Sequence, residues 1–239
     1  MARDIYILAG QSNMMGRGLM SLAPPNYANQ SRIFAYYHTA AGVDGWGAGA
    51  DPLHHDDALA GVGPGMAFAD RLLTLLADPT REVGLVPAAV GGTSIAQWGP
   101  TWATGSLYGK MLTQAVAASA AGPIKGLIWY QGEADSKTVA NGAWRKLVRE
   151  LIAAVRDDLG LPSLPVIITK IGPDPRRADY PGWSSMLVNQ AQIAAIAPPH
   201  VAVVSATDLA TNPGDPVHLN TASQVTLGHR YADAMFAML

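Results

Sequence analysis

Short apolar runs rich in β-branched residues alternate along the chain with longer stretches of helical period. The runs are Ile5–Ala9, Arg32–Tyr37, Val83–Val90, Gly126–Tyr130, Pro165–Lys170 and Val201–Ala206. Continuous apolar character is expected of strands covered on both faces, as in a parallel sheet. The helical stretches are Gly65–Leu76, Leu107–Ala121, Thr138–Leu159, Trp183–Ala197 and Thr221–Met238. In the third of these, Trp144, Leu147, Val148, Leu151, Ile152 and Val155 fall on one face, opposite Arg145, Lys146, Arg149 and Glu150. Gly160 and Pro162 end it, and Asn220 or Thr221 supplies the N-cap of the last helix. The alternation predicts an α/β fold: a three-layer α/β/α sandwich around a central, mainly parallel sheet, joined by right-handed crossovers. No repeat or linker divides it, so residues 1–239 are read as one domain. The segment Met20–Pro64 reads as loop-rich and is expected to drape over one rim of the site.

In open sheets of this kind ligands bind beyond the carboxyl ends of the strands, so the residues after each run are the informative ones. Gly10-Gln11-Ser12-Asn13 follows the first, Gly91-Gly92-Thr93-Ser94 the third and Gln131-Gly132-Glu133 the fourth. A loop ending Asp215-Pro216-Val217-His218 comes after the last. A serine hydroxyl becomes a useful nucleophile when a base takes its proton, and an imidazole does this best when a carboxylate holds its other nitrogen. Ser12 is the candidate nucleophile, His218 the base and Asp215 the carboxylate. Taken singly, Ser12 reads more readily as a helix cap and Asp215 to His218 as a solvated turn. Ser94 is a lower-ranked rival nucleophile. Paired glycines at Gly91 and Gly92 allow a backbone N–H to approach a ligand, and the Gln131 side chain can donate to an oxyanion. Glu133 is expected to orient its neighbours or to cap a helix. Trp98 and Trp102 are aromatic candidates for stacking on a sugar face, with packing as the default. His54, His55, Asp56 and Asp57 read as a solvated loop that reaches toward substrate, and no metal site is expected there. His38, His200, His229 and Asp208 read as structural, with Asp208 as a fallback carboxylate.

Composition narrows the function classes. Net charge is −2 and charged residues make up 14% of the chain, so no basic face announces nucleic acid. With no cysteine there is neither a disulfide framework nor a thiolate site, which leaves the compartment open. The sequence as written shows no signal peptide and no membrane-spanning run. It reads as cytoplasmic as it stands, or as secreted or periplasmic if a leader has been removed.

Four blocks in order then carry a resemblance. Gly10-Gln11-Ser12-Asn13-Met14, Gly91-Gly92-Thr93-Ser94-Ile95 with Trp98, Trp129-Tyr130-Gln131-Gly132-Glu133-Ala134-Asp135, and Asp215-Pro216-Val217-His218 resemble the blocks of the SGNH hydrolase superfamily. Among its members they are most similar to the carbohydrate acetylesterases, acetyl xylan esterases and sialate O-acetylesterases. Gly61-Val62-Gly63-Pro64-Gly65-Met66 matches as well. The resemblance implies a flavodoxin-like SGNH fold and a serine esterase with the triad Ser12, Asp215 and His218. It implies an oxyanion hole made by the Ser12 and Gly92 amides and the Gln131 side chain. Gln11, Asn13, Glu133 and Trp98 would bind substrate or support the site. Gln11 replaces the superfamily's usual aspartate, and Gln131 its usual asparagine. The activity implied is removal of acetyl groups from a glycan without metal or organic cofactor, xylan first and sialic acid behind it. A general short-chain carboxylesterase, a non-catalytic carbohydrate-binding module and a flavodoxin-like cofactor binder are the competing readings. The partner expected is an acetylated carbohydrate, with no nucleic acid or membrane, and the chain is expected to be a monomer.

Overall fold

The computed structural model describes residues 3–38, 44–103, 105–138, 142–196 and 199–239. The first strand, β1 (Arg3–Gly10), is buried almost from end to end and lies at the middle of a seven-stranded sheet. A four-residue helix, α1 (Ser12–Met15), follows at once. Then come β2 (Ile33–His38), β3 (Asp44–Ala48), α2 (Gly65–Leu76), β4 (Glu82–Pro87), α3 (Leu107–Ala118) and β5 (Ile124–Tyr130). The chain continues through α4 (Trp144–Leu159), β6 (Val166–Lys170), α5 (Trp183–Ile196) and β7 (Val201–Ser205). It ends with the short strands β8 (Thr211–Asn212) and β9 (Asp215–Leu219) and the helix α6 (Thr221–Phe236).

The sheet order is β3-β2-β4-β1-β5-β6-β7. All pairings are parallel except β2 with β3 at one edge. This is the α/β architecture the apolar runs predict. The central strands β1, β4 and β5 are buried on both faces, which is why they read as unbroken apolar runs. Helices α2 and α6 pack against each other, and Phe68 of α2 meets Tyr6 of β1 edge to face at 5.1 Å. Trp98 and Trp129 make a similar contact at 5.1 Å. Among the described residues no helix is long and apolar enough to cross a membrane.

Several boundaries differ from the sequence reading. The regular strand of the third run ends at Pro87, although the Ala88 and Val90 N–H groups still donate to the Leu8 and Gly10 carbonyls of β1 before the turn at Gly91 and Gly92. Helix α4 starts at Trp144, later than the expected Thr138, which is extended at the end of a separate 3₁₀ turn, Asp135–Lys137. The expected helical residues 139–141, and residue 197 at the end of the next helix, lie outside the described residues. Gly160 takes the left-handed C-cap conformation, and the Asn220 side chain accepts from the Ser223 N–H at 3.0 Å. Strand β3, Asp-Gly-Trp-Gly-Ala, interrupts the loop-rich segment. Its glycines hide it from a periodicity search, and pairing with β2 creates it. The segment before α6, read as a loop, is the hairpin β8–β9.

Candidate active site

The turn after β1 sets up the site. Gly10 has φ +124°, and a Cβ there would lie 2.1 Å from the Tyr130 carbonyl oxygen. The chain can turn against β5 at this point only without a side chain. Gln11 stays extended, and Ser12 opens α1. The Ser12 N–H therefore has no acceptor one turn back. Ser12 Oγ lies 2.9 Å from His218 Nε2.

The hairpin delivers the other two residues. Asp215 Oδ1 accepts from the Val217 N–H at 3.0 Å and the His218 N–H at 3.2 Å. This is the local turn that aspartate favours, and it leaves Oδ2 2.6 Å from His218 Nδ1. A carboxylate can only accept, so Nδ1 carries the ring proton and Nε2 is free to accept from the Ser12 hydroxyl. Burial pushes the Asp215 pKa up, but the hydrogen bonds from the His218 ring and the Val217 N–H outweigh it and hold the carboxyl below its usual range. Asp215 is thus ionised when the imidazole needs a partner. Asp208, the fallback carboxylate, is instead held by both nitrogens of the Arg230 fork at 2.7 Å.

Asn13 joins the two halves of the site. Its Nδ2 donates to Glu133 Oε1 at 2.7 Å and to the Val217 carbonyl at 3.1 Å, and its Oδ1 accepts from the Leu219 N–H at 2.9 Å. Glu133 is fully buried, and burial raises its pKa to about 7. Its Oε2 has no hydrogen-bond partner among the described residues. A carboxyl in that setting favours its neutral form. Glu133 is thus a support for Asn13, and the helix-capping alternative falls away.

The loop after β4 passes directly beside the serine. A Cβ on Gly91 would lie 3.8 Å from Ser12 Cβ and 3.0 Å from Arg17 Nη2. Gly92 has φ +72° and open space at its Cβ position. Among the described residues its N–H has no acceptor. The loop is held rigidly. Thr93 Oγ1 donates to the Val90 carbonyl at 2.8 Å and accepts from Trp98 Nε1 at 3.0 Å. Ser94 and Gln97 form a capping box over the 3₁₀ turn Ile95–Trp98, so Ser94 acts as a cap, and its side chain bonds to Gln97 rather than to an imidazole. Trp98 is buried against Trp129. It cannot stack on a sugar and serves only to hold the loop.

Gln131 takes a role different from the one expected. It is fully buried, and its Nε2 lies 3.1 Å from the Thr93 carbonyl, 3.3 Å from Gln11 Oε1 and within hydrogen-bond reach of Asp135 Oδ2. Its Oε1 accepts from Trp144 Nε1 at 2.8 Å. With both amide hydrogens committed, this side chain ties β5 to the Gly92 loop and presents no spare donor to an oxyanion. Gln11, also buried, accepts from the Ala134 N–H at 3.2 Å and belongs to the same framework.

His54 also differs from its reading as a solvated loop residue. It is buried, and its Nε2 accepts from the Ala89 N–H at 3.1 Å. Burial lowers its pKa to about 4, so the neutral ring pins the start of the Gly91–Gly92 loop. His55 stacks on Tyr37 at 4.0 Å. Two contributors were missed in the sequence. Arg17 gives no signal in the sequence because one basic residue carries no pattern, yet it stands just five positions after Ser12. Its side chain is mostly buried, 3.9 Å from Asp57 Oδ1. Gln224, whose Nε2 donates to the Asn13 carbonyl at 3.2 Å, reads as one more polar position on α6.

Comparison with known proteins adds the family. A family model described as carbohydrate esterase, sialic acid-specific acetylesterase, matches residues 2–237. A probable carbohydrate esterase of Arabidopsis thaliana, At4g34215, is 35% identical over 97% of this chain and 89% of its own length. The X-ray structure of that Arabidopsis protein superposes with a TM-score of 0.87 over 99% of both chains, at 31% identity. At lower identity the fold alone is shared. NanS gives a TM-score of 0.74 at 16% identity over 99% of this chain and 97% of its own. A carbohydrate acetylesterase from Xanthomonas citri gives 0.67 at 20% identity over 97% of this chain and 55% of its own. With its SGNH-type sheet and a family match over nearly its whole length, this chain belongs to the sialic acid-specific acetylesterase family of carbohydrate esterases.

Proposed function

We propose that the protein is a carbohydrate O-acetylesterase acting through a Ser12–His218–Asp215 triad. The observation that carries this reading is the continuous relay from Ser12 Oγ through the His218 ring to Asp215, with contacts of 2.9 and 2.6 Å. Ser12 Oγ attacks the acetyl carbonyl as His218 Nε2 takes its proton. The negative charge on the carbonyl oxygen is met by the Ser12 and Gly92 N–H groups, both without acceptors among the described residues. His218 then protonates the departing sugar oxygen. Water, deprotonated by His218, releases acetate from Ser12. Asp215 stays ionised throughout and stabilises the imidazolium. Arg17, beside Gly91, adds positive potential on the same side.

The substrate favoured is an acetylated glycan, xylan first. A second reading, an acetylated sialic acid, is favoured by the family's description and by the half-buried Arg17 cation near Ser12. The test combines labelling and kinetics. An aryl phosphonate should form one adduct, on Ser12. Ser12→Ala and His218→Ala should each lose nearly all hydrolysis of 4-nitrophenyl acetate while keeping the wild-type melting profile. Turnover by Ser12→Ala at the wild-type rate would overturn the reading. Rates on acetylated xylan and acetylated sialic acid rank the two substrates, and a chain-length series of aryl esters separates both from a general carboxylesterase.

A further inference from the structure

A cavity of about 420 Å³ lies on the segment that leads into the Gly91–Gly92 loop, and none of Ser12, Asp215 and His218 lines it. It lies between the end of β4, where Pro87–Val90 form one wall, and the first turns of α3, where Lys110 and Gln114 form another. Val90 is the last residue before Gly91 and Gly92. The cavity therefore begins one residue from the loop that faces Ser12, because successive Cα atoms are about 3.8 Å apart. Its volume lies within the range of roughly 300–1,000 Å³ typical of small-molecule sites, and so has room for a sugar ring.

The lining has the chemistry of a sugar site. Trp102 is 48% exposed and Val90 38% exposed, and both line the cavity. A large aromatic left in water on a cavity wall offers a flat apolar face to the C–H face of a pyranose. Gln114 and Asp56, also in the lining, supply acceptors and donors for ring hydroxyls. Among the described charged side chains of the lining, Lys110 is the one cation, and Asp56 supplies a carboxylate. The lining therefore offers no excess of positive charge to attract an anionic sugar.

We propose that this cavity is a subsite for an uncharged sugar residue linked to the one whose acetyl ester lies at Ser12. The inference rests on the acetylesterase reading and makes the preferred substrate an oligosaccharide. The test uses acetylated xylotriose and 4-nitrophenyl acetate as paired substrates for wild type, Trp102→Ala and Gln114→Ala. Trp102→Ala should lower kcat/KM on the oligosaccharide about tenfold or more relative to 4-nitrophenyl acetate, chiefly through KM. Gln114→Ala should act in the same direction by less. Titration of unacetylated xylotriose into Ser12→Ala, followed by NMR, should shift Trp102 and α3 resonances, and Trp102→Ala should weaken that binding. If wild type hydrolyses no acetyl ester, the acetylesterase reading fails. If wild type is active but Trp102→Ala changes both substrates equally, or neither, the subsite is overturned while the activity stands.

Discussion

Asn13 and Leu219 are 206 residues apart, yet the Leu219 N–H donates to Asn13 Oδ1 at 2.9 Å. The residue after Ser12 thus grips the residue after His218. With the second bond from Asn13 Nδ2 to the Val217 carbonyl, this side chain brackets His218 on both sides. Asn13 therefore helps to fix the distance from Ser12 to His218. Asn13→Ala should leave Leu219 N–H and Glu133 with buried, unpaired polar groups, costing about 2–4 kcal/mol. It should also let the imidazole drift, lowering kcat on 4-nitrophenyl acetate by about 10- to 100-fold with little change in KM. Thermal melts and steady-state kinetics on the same preparation check both. An unchanged kcat would show that the hairpin positions His218 without Asn13.

Gln131 gives a contrast between framework and chemistry. An oxyanion donor typically contributes about 10²- to 10³-fold in kcat. Gln131 spends its amide on Thr93, Gln11, Asp135 and Trp144 instead. Gln131→Ala should therefore lower the melting temperature by several degrees, through the groups it orphans. Measured well below that temperature, it should lower kcat by less than tenfold. A loss of a hundredfold without destabilisation would restore Gln131 as a donor to the oxyanion.

Glu133 predicts a pH dependence of stability. Its folded pKa, about 7, lies above the ordinary carboxyl value of 4.5. The folded protein therefore holds a proton that the unfolded chain releases between those values. The stabilisation is fully present below about pH 4.5 and is lost as pH rises through 7, to a limit of about 3 kcal/mol. Glu133→Gln keeps a neutral side chain and should escape this loss, so its advantage over wild type should grow from pH 5 to pH 8. His54 acts in the opposite sense. Its depressed pKa of about 4 makes stability fall as pH drops from 6.5 toward 4. The difference between variant and wild type isolates the Glu133 contribution. Parallel denaturation curves at every pH would contradict it.

Two glycines separate strain from clash. Gly92 has a left-handed φ but open space where a Cβ would sit, so Gly92→Ala should fold at a cost of about 1–2 kcal/mol. Gly10 combines a φ of +124° with backbone 2.1 Å from that position. Gly10→Ala should separate β1 from β5 and yield no stable native protein. Circular dichroism and chemical denaturation distinguish the two. A well-folded Gly10→Ala would mean that the turn before Ser12 can open.

The layered fold was legible in the residues because the central strands are buried on both faces and so appear as unbroken apolar runs. Helix α2 follows its expected bounds for a similar reason, since its apolar stripe has a strong local period. The glycine-bearing turns after β1 and β4 and the Asp215–His218 segment could also be located, because the ends of parallel strands converge on one edge. Assembly in three dimensions decided the rest. Strand β3 has no apolar signature and exists only through its pairing with β2. Trp98 and Trp102 stand four residues apart and look alike in the sequence. Packing against Trp129 buries one and leaves the other at the cavity. Gln131 and His54 carry the polar atoms that chemistry would use. Whether such atoms face a substrate or are spent on a buried framework depends on long-range partners such as Trp144 and Ala89. Local pattern determines the buried central strands and most of the helices, while pairing adds edge elements such as β3. Hydrogen bonds between residues distant in sequence determine which polar groups remain free to act.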